Sequence, residues 1–266
     1  MKGFYLYGVC LPQKIKKLPA KDASEGFGGG KVFRIPYQDI EAIVSEVSLK
    51  EFGSEEIQRK AAEDLAWIKD KALVHGKIVE TAMNNSDGLI IPMKFGTVFR
   101  TKESLISSLK KDYLKFKNLL KSLRGKEERS VKIYCQAELF ENEIKKKSPI
   151  IQSKLKEISF LPAGRQYFLE EEINEMVKRE ARNSVNNYTP LFLEKLKWLA
   201  EELKENRILG KELTQKNDPM VFNGAFLVKK AKVDSFQEEI QKLQTDYKKI
   251  GFTFESSGPW PPYNFV

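Results

Sequence analysis

Between Ser54 and Met83, positions Ile57, Ala61, Leu65, Ile68, Ala72, His75, Val79 and Met83 recur at steps of three and four, the signature of one helical face. Ser54 stands where an N-cap belongs. Glu55 and Glu56 follow at the positive end of the helix dipole, and Asn84-Asn85-Ser86-Asp87-Gly88 supplies the stop. A second stripe, Leu105, Leu109, Tyr113, Phe116, Leu120 and Leu123, predicts a helix from Thr101 to Arg124, ended by Gly125. Shorter apolar runs without that period predict strands: Phe4–Cys10, Lys31–Tyr37, Glu41–Val47, Ser130–Ala137, Met220–Lys229 and Phe252–Glu255. Leu89–Phe99 reads as a strand or strand pair interrupted at Pro92. From about 137 to 209 the pattern is helical, broken at Ser148-Pro149 and at Leu161-Pro162-Ala163-Gly164 into at least three pieces. Asp234 caps a last helix running to Lys249.

The order of elements is β, ββ, α, β, α, then β, a helical insert, β, α, β. That is an α+β protein in two halves, each a small, mainly antiparallel sheet covered by helices, with a tendency toward the split βαβ or ferredoxin-like arrangement. The short charged connection Gly125–Arg129 places the boundary, giving an N-terminal domain over 1–127 and a C-terminal domain over 128–266. The second domain carries the helical insert (about 137–209) and the end of the chain. Trp67 and Trp198 lie on helices and are expected as packing anchors.

Hydrophobic residues make up 41% and charged residues 31% of the 266, enough for a sizeable core and without an apolar run of membrane-spanning length. The N-terminus turns strand-like too soon for a signal peptide. Cys10 and Cys135 both sit in strand patterns and read as buried thiols of a reducing compartment. The net charge of +9 is concentrated: eleven basic residues between Arg100 and Lys132 face four acidic ones. A polyanion partner is one reading, and the solvated face of an amphipathic helix is the other.

Sites for chemistry are sparse. The Gly-rich run Gly26, Gly28, Gly29, Gly30 lies in a loop from Leu11 to Lys31 and lacks Gly-Lys-Ser/Thr, so no phosphate cradle is expected. His75 falls in an apolar register with no second His or Cys at ligand spacing, which argues for a structural histidine and for neither metal nor catalysis. No Cys-x-x-Cys and no Gly-x-Ser-x-Gly elbow occurs. An enzyme is not expected, and no cofactor is implied. Tyr113 and Phe116 punctuate the basic helix but share its apolar stripe, so they point to core and not to base stacking.

The chain ends Ser257-Gly258-Pro259-Trp260-Pro261-Pro262-Tyr263-Asn264-Phe265-Val266. Prolines exclude a regular helix and favour an ordered, extended segment. An uncharged aromatic end is expected to lie on an apolar surface, its own or a partner's. This tail and Ile91-Pro92-Met93-Lys94-Phe95-Gly96-Thr97-Val98-Phe99 resemble the gas vesicle accessory proteins of the GvpF/GvpL family. The likeness continues in Tyr5-Leu6-Tyr7-Gly8, Ala72-Leu73-Val74-His75-Gly76-Lys77-Ile78-Val79, Pro162-Ala163-Gly164-Arg165-Gln166-Tyr167 and Asn223-Gly224-Ala225-Phe226-Leu227-Val228.

The resemblance implies an assembly role: contact with the very hydrophobic shell protein and with other accessory proteins in the cytoplasm during nucleation or growth of the shell. It implies no membrane partner, and nucleic acid is not expected. Candidate interaction or domain-fixing residues are Pro92, Phe95, Arg165, Tyr167, Phe226, Trp260, Tyr263 and Phe265. For Phe226 and the tail, internal packing is the alternative to partner contact. An RNA- or other polyanion-binding module is the alternative function, carried by the basic helix.

Overall fold

The computed structural model describes residues 1–12 and 25–266. Most of the expected Leu11–Lys31 loop lies outside the described residues; its glycines form a 3-10 turn at Phe27–Gly29. Contacts divide the chain into two compact units, Met1–Glu128 with Pro259–Val266, and Arg129–Gly258. The tail expected in the second domain is therefore part of the first unit, and the polypeptide passes between units twice.

The first unit holds β1 (Lys2–Cys10), β2 (Val32–Tyr37), β3 (Ile40–Ser48), α1 (Leu49–Phe52), α2 (Ser54–Glu63), α3 (Leu65–Asn84), β4 (Ile90–Pro92), β5 (Val98–Phe99) and α4 (Lys102–Leu123). The sheet runs β2-β3-β1-β4, with β5 also on β1, and these pairs are antiparallel. The β2–β3 hairpin turns at Gln38, whose φ of 52° is left-handed. β1 is buried without alternation from Tyr5 to Cys10, as a central strand covered on both faces must be. Helix α3 packs Ile78, Val79, Ala82 and Met83 on Tyr5, Tyr7, Ile43 and Val47. Helix α4 lies against β1, β2, β4 and β5 and buries Leu105, Leu109, Phe116, Leu120 and Leu123. Its start is fixed by a reciprocal capping box between Thr101 and Ser104.

The single helix expected from Ser54 to Met83 is two. Asp64 leaves helical geometry at φ −139°, and its carboxylate caps the Trp67 N–H of α3 at 3.0 Å. Local capping outcompetes continuation at this position. Leu65 is consequently exposed, although the stripe assigned it inward.

The second unit begins within β6 (Lys126–Cys135) and continues through α5 (Ala137–Lys147), α6 (Pro149–Ile158), α7 (Ala163–Lys197), β7 (Glu202–Glu205), α8 (Lys211–Thr214), β8 (Met220–Lys229), α9 (Val233–Tyr247) and β9 (Phe252–Trp260). Its separate sheet has the order β7-β8-β6-β9. The three insert helices appear, but the helical pattern stops at Lys197, and 202–205 is an edge strand antiparallel to β8. Four charged or alternating residues carry little strand signal of their own; pairing to Gly224, Ala225, Phe226 and Leu227 decides them. The core joins Ile133, Phe140, Ile173, Val177, Phe192, Phe226, Phe236 and Phe252. Trp198 is not the expected anchor: it is 81% exposed just past the end of α7.

Among the described residues no helix is long and apolar enough to cross a membrane. Cys10 and Cys135 are both buried and unpaired.

Candidate functional site

The C-terminal segment finds its seat on the first unit, around His75. α3 turns His75 inward one turn before Ile78 and Val79, so the imidazole meets the face of β1 that presents Tyr5 and Tyr7. Tyr5 Oη lies 3.0 Å from His75 Nδ1 and accepts the Gly96 N–H at 2.8 Å. Gly96 reaches that position with φ of 85°, which a side-chain-bearing residue rarely adopts. On the far side of the ring, Nε2 lies 3.0 Å from Tyr263 Oη. Phe95 closes the group, its ring centroid 6.0 Å from His75 and 6.3 Å from Tyr5. Tyr7 Oη is paired with Ser45 Oγ at 2.9 Å.

A second bond pair holds the segment one residue on. Glu128 is a buried carboxylate that accepts the Asn264 backbone N–H at 3.1 Å and its side-chain Nδ2–H at 2.6 Å. Pro261 and Pro262 are buried, and Tyr263–Phe265 forms a turn of 3-10 helix. Trp260 and Tyr263 stay half-exposed. The strand expected to end at Glu255 extends to Trp260, with Gly258 at φ 125° just before Pro259.

Burial dominates the electrostatics. It lowers the His75 pKa to about 4, with the Met93 backbone carbonyl acting against it. It raises the Tyr5 phenol well above its usual range and the Tyr263 phenol to about 12. Burial likewise raises the Glu128 carboxyl, opposed by the two bonds from Asn264. At neutral pH the imidazole and phenols are uncharged, and each polar atom is matched. Such a cluster positions a segment; it offers no ionised base beside a nucleophile. Among the described residues no three His, Cys, Asp or Glu side chains gather as a metal site.

The structure brings together some of the candidates and disperses the rest. Phe95 and Tyr263 meet at His75. Pro92, at the end of β4, is buried and pairs across from Gly8. Trp260 and Phe265 flank Tyr263 in the same segment. Phe226 is fully buried in the second core, between Phe222 and Phe236, so it presents no surface. Arg165 and Tyr167 are exposed in the first turns of α7, and Arg165 has no ion pair among the described residues. Glu128, Asn264 and Tyr5 were missed. The available signal was Asn264, a lone amide in an otherwise apolar end. On α4, Phe116 is buried, and Tyr113 is tied to Asp39 through its hydroxyl.

The family model for gas vesicle synthesis protein GvpL/GvpF matches residues 3–266. Gas vesicle protein F1 of Halobacterium salinarum is 21% identical over 266 residues, covering 100% of this chain and 93% of that protein. Gas vesicle protein L of a Streptomyces species is 24% identical over 263 residues, 98% of this chain and 92% of that one. The crystal structure of GvpF from Anabaena superposes with a TM-score of 0.73 at 18% identity, covering 100% of this chain and 98% of that chain. GvpF from Microcystis aeruginosa gives 0.66 at 20% identity, with 99% and 98% coverage. These two likenesses establish a shared α+β fold with two antiparallel sheets packed with helices.

Proposed function

The chain belongs to the GvpL/GvpF family of gas vesicle synthesis proteins, and from that premise we propose that it is a cytoplasmic, non-catalytic accessory protein that binds the apolar shell protein, and other accessory proteins, while the shell nucleates or grows. A subunit with a large apolar face aggregates unless that face is covered before incorporation. A protein that covers it transiently needs apolar surface of its own, held in a fixed geometry.

One observation carries this reading: an uncharged proline-aromatic segment is pre-ordered on the first unit, with Trp260 and Tyr263 half-exposed. Preordering removes most of the entropy cost that a loose tail pays on binding. Phe226 is withdrawn as a contact because it lies in the core. The polyanion reading has basic side chains on α4 but no ring offered for stacking, since Phe116 is buried and Tyr113 is engaged.

The test is capture of purified shell protein by the full chain, beside a salt-titrated RNA binding assay. Trp260→Ala is expected to weaken capture by about tenfold, the loss typical of one interfacial tryptophan, with an unchanged melting curve. RNA binding with a steep salt slope and no capture of shell protein would overturn the proposal.

A further inference from the structure

Helix α4 carries on its outer side a run of cations that its surroundings leave largely unneutralised. Lys110, Lys111, Leu114, Lys115, Lys117 and Lys121 are all exposed, while Leu105, Leu109, Phe116, Leu120 and Leu123 fill the opposite side. Lys117 is bonded to Asp39 at 2.9 Å. Lys110, Lys111, Lys115 and Lys121 have no ion pair among the described residues. Acidic groups nearby are few. Strands β1, β2, β4 and β5, against which α4 lies, contain no Asp or Glu. Glu103 sits in the first turn, at the positive end of the dipole. Asp112 is half-buried and turned about 160° around the helix from Leu114. Past the helix, Glu127 follows on β6, and Glu128 is buried on Asn264.

Other helices neutralise their cations within a turn. Arg59 on α2 is bonded to Glu56 and Glu63, Lys147 on α5 to Glu143, and Lys178 on α7 to Glu175. On α4, Lys111 stands four residues before Lys115, and Lys117 four before Lys121, so like charges adjoin along the helix. That spacing weakens an isolated helix, and the fold gains nothing from it. Leu114 stands in its midst, 71% exposed.

These features select a partner's chemistry. Four unpaired lysines over about 16 Å of helix call for anions. Leu114 calls for an apolar side chain among those anions, which a phosphate backbone does not supply. To nucleic acid α4 offers no ring for stacking, because Phe116 is buried and Tyr113 is bonded to Asp39. To a lipid surface it offers no apolar face, because that face is packed on the sheet. A convex ridge with one apolar position flanked by lysines matches a helix that carries acids beside its own apolar stripe. We propose that the outer face of α4 docks an acidic amphipathic helix of a partner protein, its carboxylates against Lys110, Lys111, Lys115 and Lys121 and an apolar side chain against Leu114. This inference goes beyond the shell-binding reading and does not rest on it.

The test presents the full chain with four probes. They are a helical peptide of about three heptads with glutamates flanking a leucine stripe, polyglutamate of equal charge, polyuridylate RNA, and phosphatidylserine vesicles. Fluorescence anisotropy reads the first three and co-sedimentation the vesicles. The peptide is expected to bind with a Kd of about 0.1 mM at 0.1 M salt, and polyglutamate about tenfold more weakly. Leu114→Ser keeps every charge; it is expected to bring the peptide down to the level of polyglutamate and to leave polyglutamate unchanged. Lys110→Glu, Lys111→Glu and Lys115→Glu together are expected to abolish binding of both. With an unchanged circular dichroism spectrum, that variant should instead bind the same peptide with lysines in place of its glutamates. Leu114→Ser decides the matter if the triple variant fails to fold. No binding of the peptide up to about 1 mM overturns the proposal, and so does equal binding of peptide and polyglutamate. RNA or vesicles bound more tightly than the peptide, with no response to Leu114→Ser, would assign the lysines to phosphates and the proposal falls.

Discussion

His75 Nε2 and Tyr263 Oη stand 3.0 Å apart although 188 residues separate them in the chain. Through Nδ1 the same imidazole meets Tyr5 on the first strand. A single buried ring therefore ties the two ends of the polypeptide to one helix. The neutral ring, with one N–H and one lone pair, satisfies both partners.

Removing residues 259–266 deletes the His75 and Glu128 partners together. The loss is expected to be about 4–7 kcal/mol, from one neutral hydrogen bond and two to a carboxylate. Tyr263→Phe alone should cost about 1 kcal/mol. Urea denaturation of the two variants beside the full chain measures both. A deletion that unfolds at the same midpoint as the full chain would show that the segment rests on the first unit without stabilising it.

Acidification should destabilise the first unit through His75. The folded ring has a pKa of about 4, below the ordinary 6.5, so the unfolded chain takes up its proton first as pH falls. Stability is lost progressively between about pH 6.5 and 4, on the order of 3 kcal/mol in full. Glu128 acts with opposite sign: its folded pKa is raised, so its contribution is present at low pH and fades as pH rises through that value. His75→Gln removes the first effect and keeps the second. Denaturation midpoints across this pH range should fall less steeply for the variant; parallel curves would show that the ring is not held neutral.

Asn264→Ala removes the Nδ2–H donor from the buried Glu128 carboxylate and leaves it only the backbone N–H of residue 264. A cost of about 1–3 kcal/mol is expected near neutral pH, shrinking once the carboxyl is protonated. Glu128→Gln in the same background should recover part of the loss, because an amide carries no charge to desolvate. A double-mutant cycle with no coupling between the two positions would contradict the bonds seen here.

Phe226 and Tyr167 separate core from surface in the second unit. Phe226→Ala should lose about 3–5 kcal/mol, as a fully buried ring does. Tyr167→Ala should stay within about 0.5 kcal/mol. Thermal melts of the two proteins decide it.

Cys10 and Cys135 should resist alkylation in the folded chain at pH 8. Burial raises their thiols to about 11 and about 12. Mass spectrometry before and after denaturant should show no adducts, then two.

Helix α4, strand β8 and the β2–β3 hairpin were legible because their signals are local. A periodic stripe with a capping Thr101, an apolar run bounded by turn residues, and two apolar runs close in sequence around a short polar turn need no distant partner. The division of α2 from α3 was less so: Asp64 looks like any polar helix residue until its side chain is seen capping Trp67. Strand β7 has no pattern of its own and exists through its pairing with β8.

The apolarity of the C-terminal segment, the inward register of His75 and the buried cysteines were determined by the sequence alone, since composition and spacing suffice for each; the family was legible in the motif fragments from Tyr5 to Phe265. Where the segment lies was decided only by the tertiary structure. Pairing of Tyr263 with His75, and of Asn264 with Glu128, depends on bringing together residues 188 and 136 positions apart. No propensity encodes such contacts. They are chosen because a buried imidazole and a buried carboxylate each require a hydrogen-bonding partner, and the returning chain end supplies both.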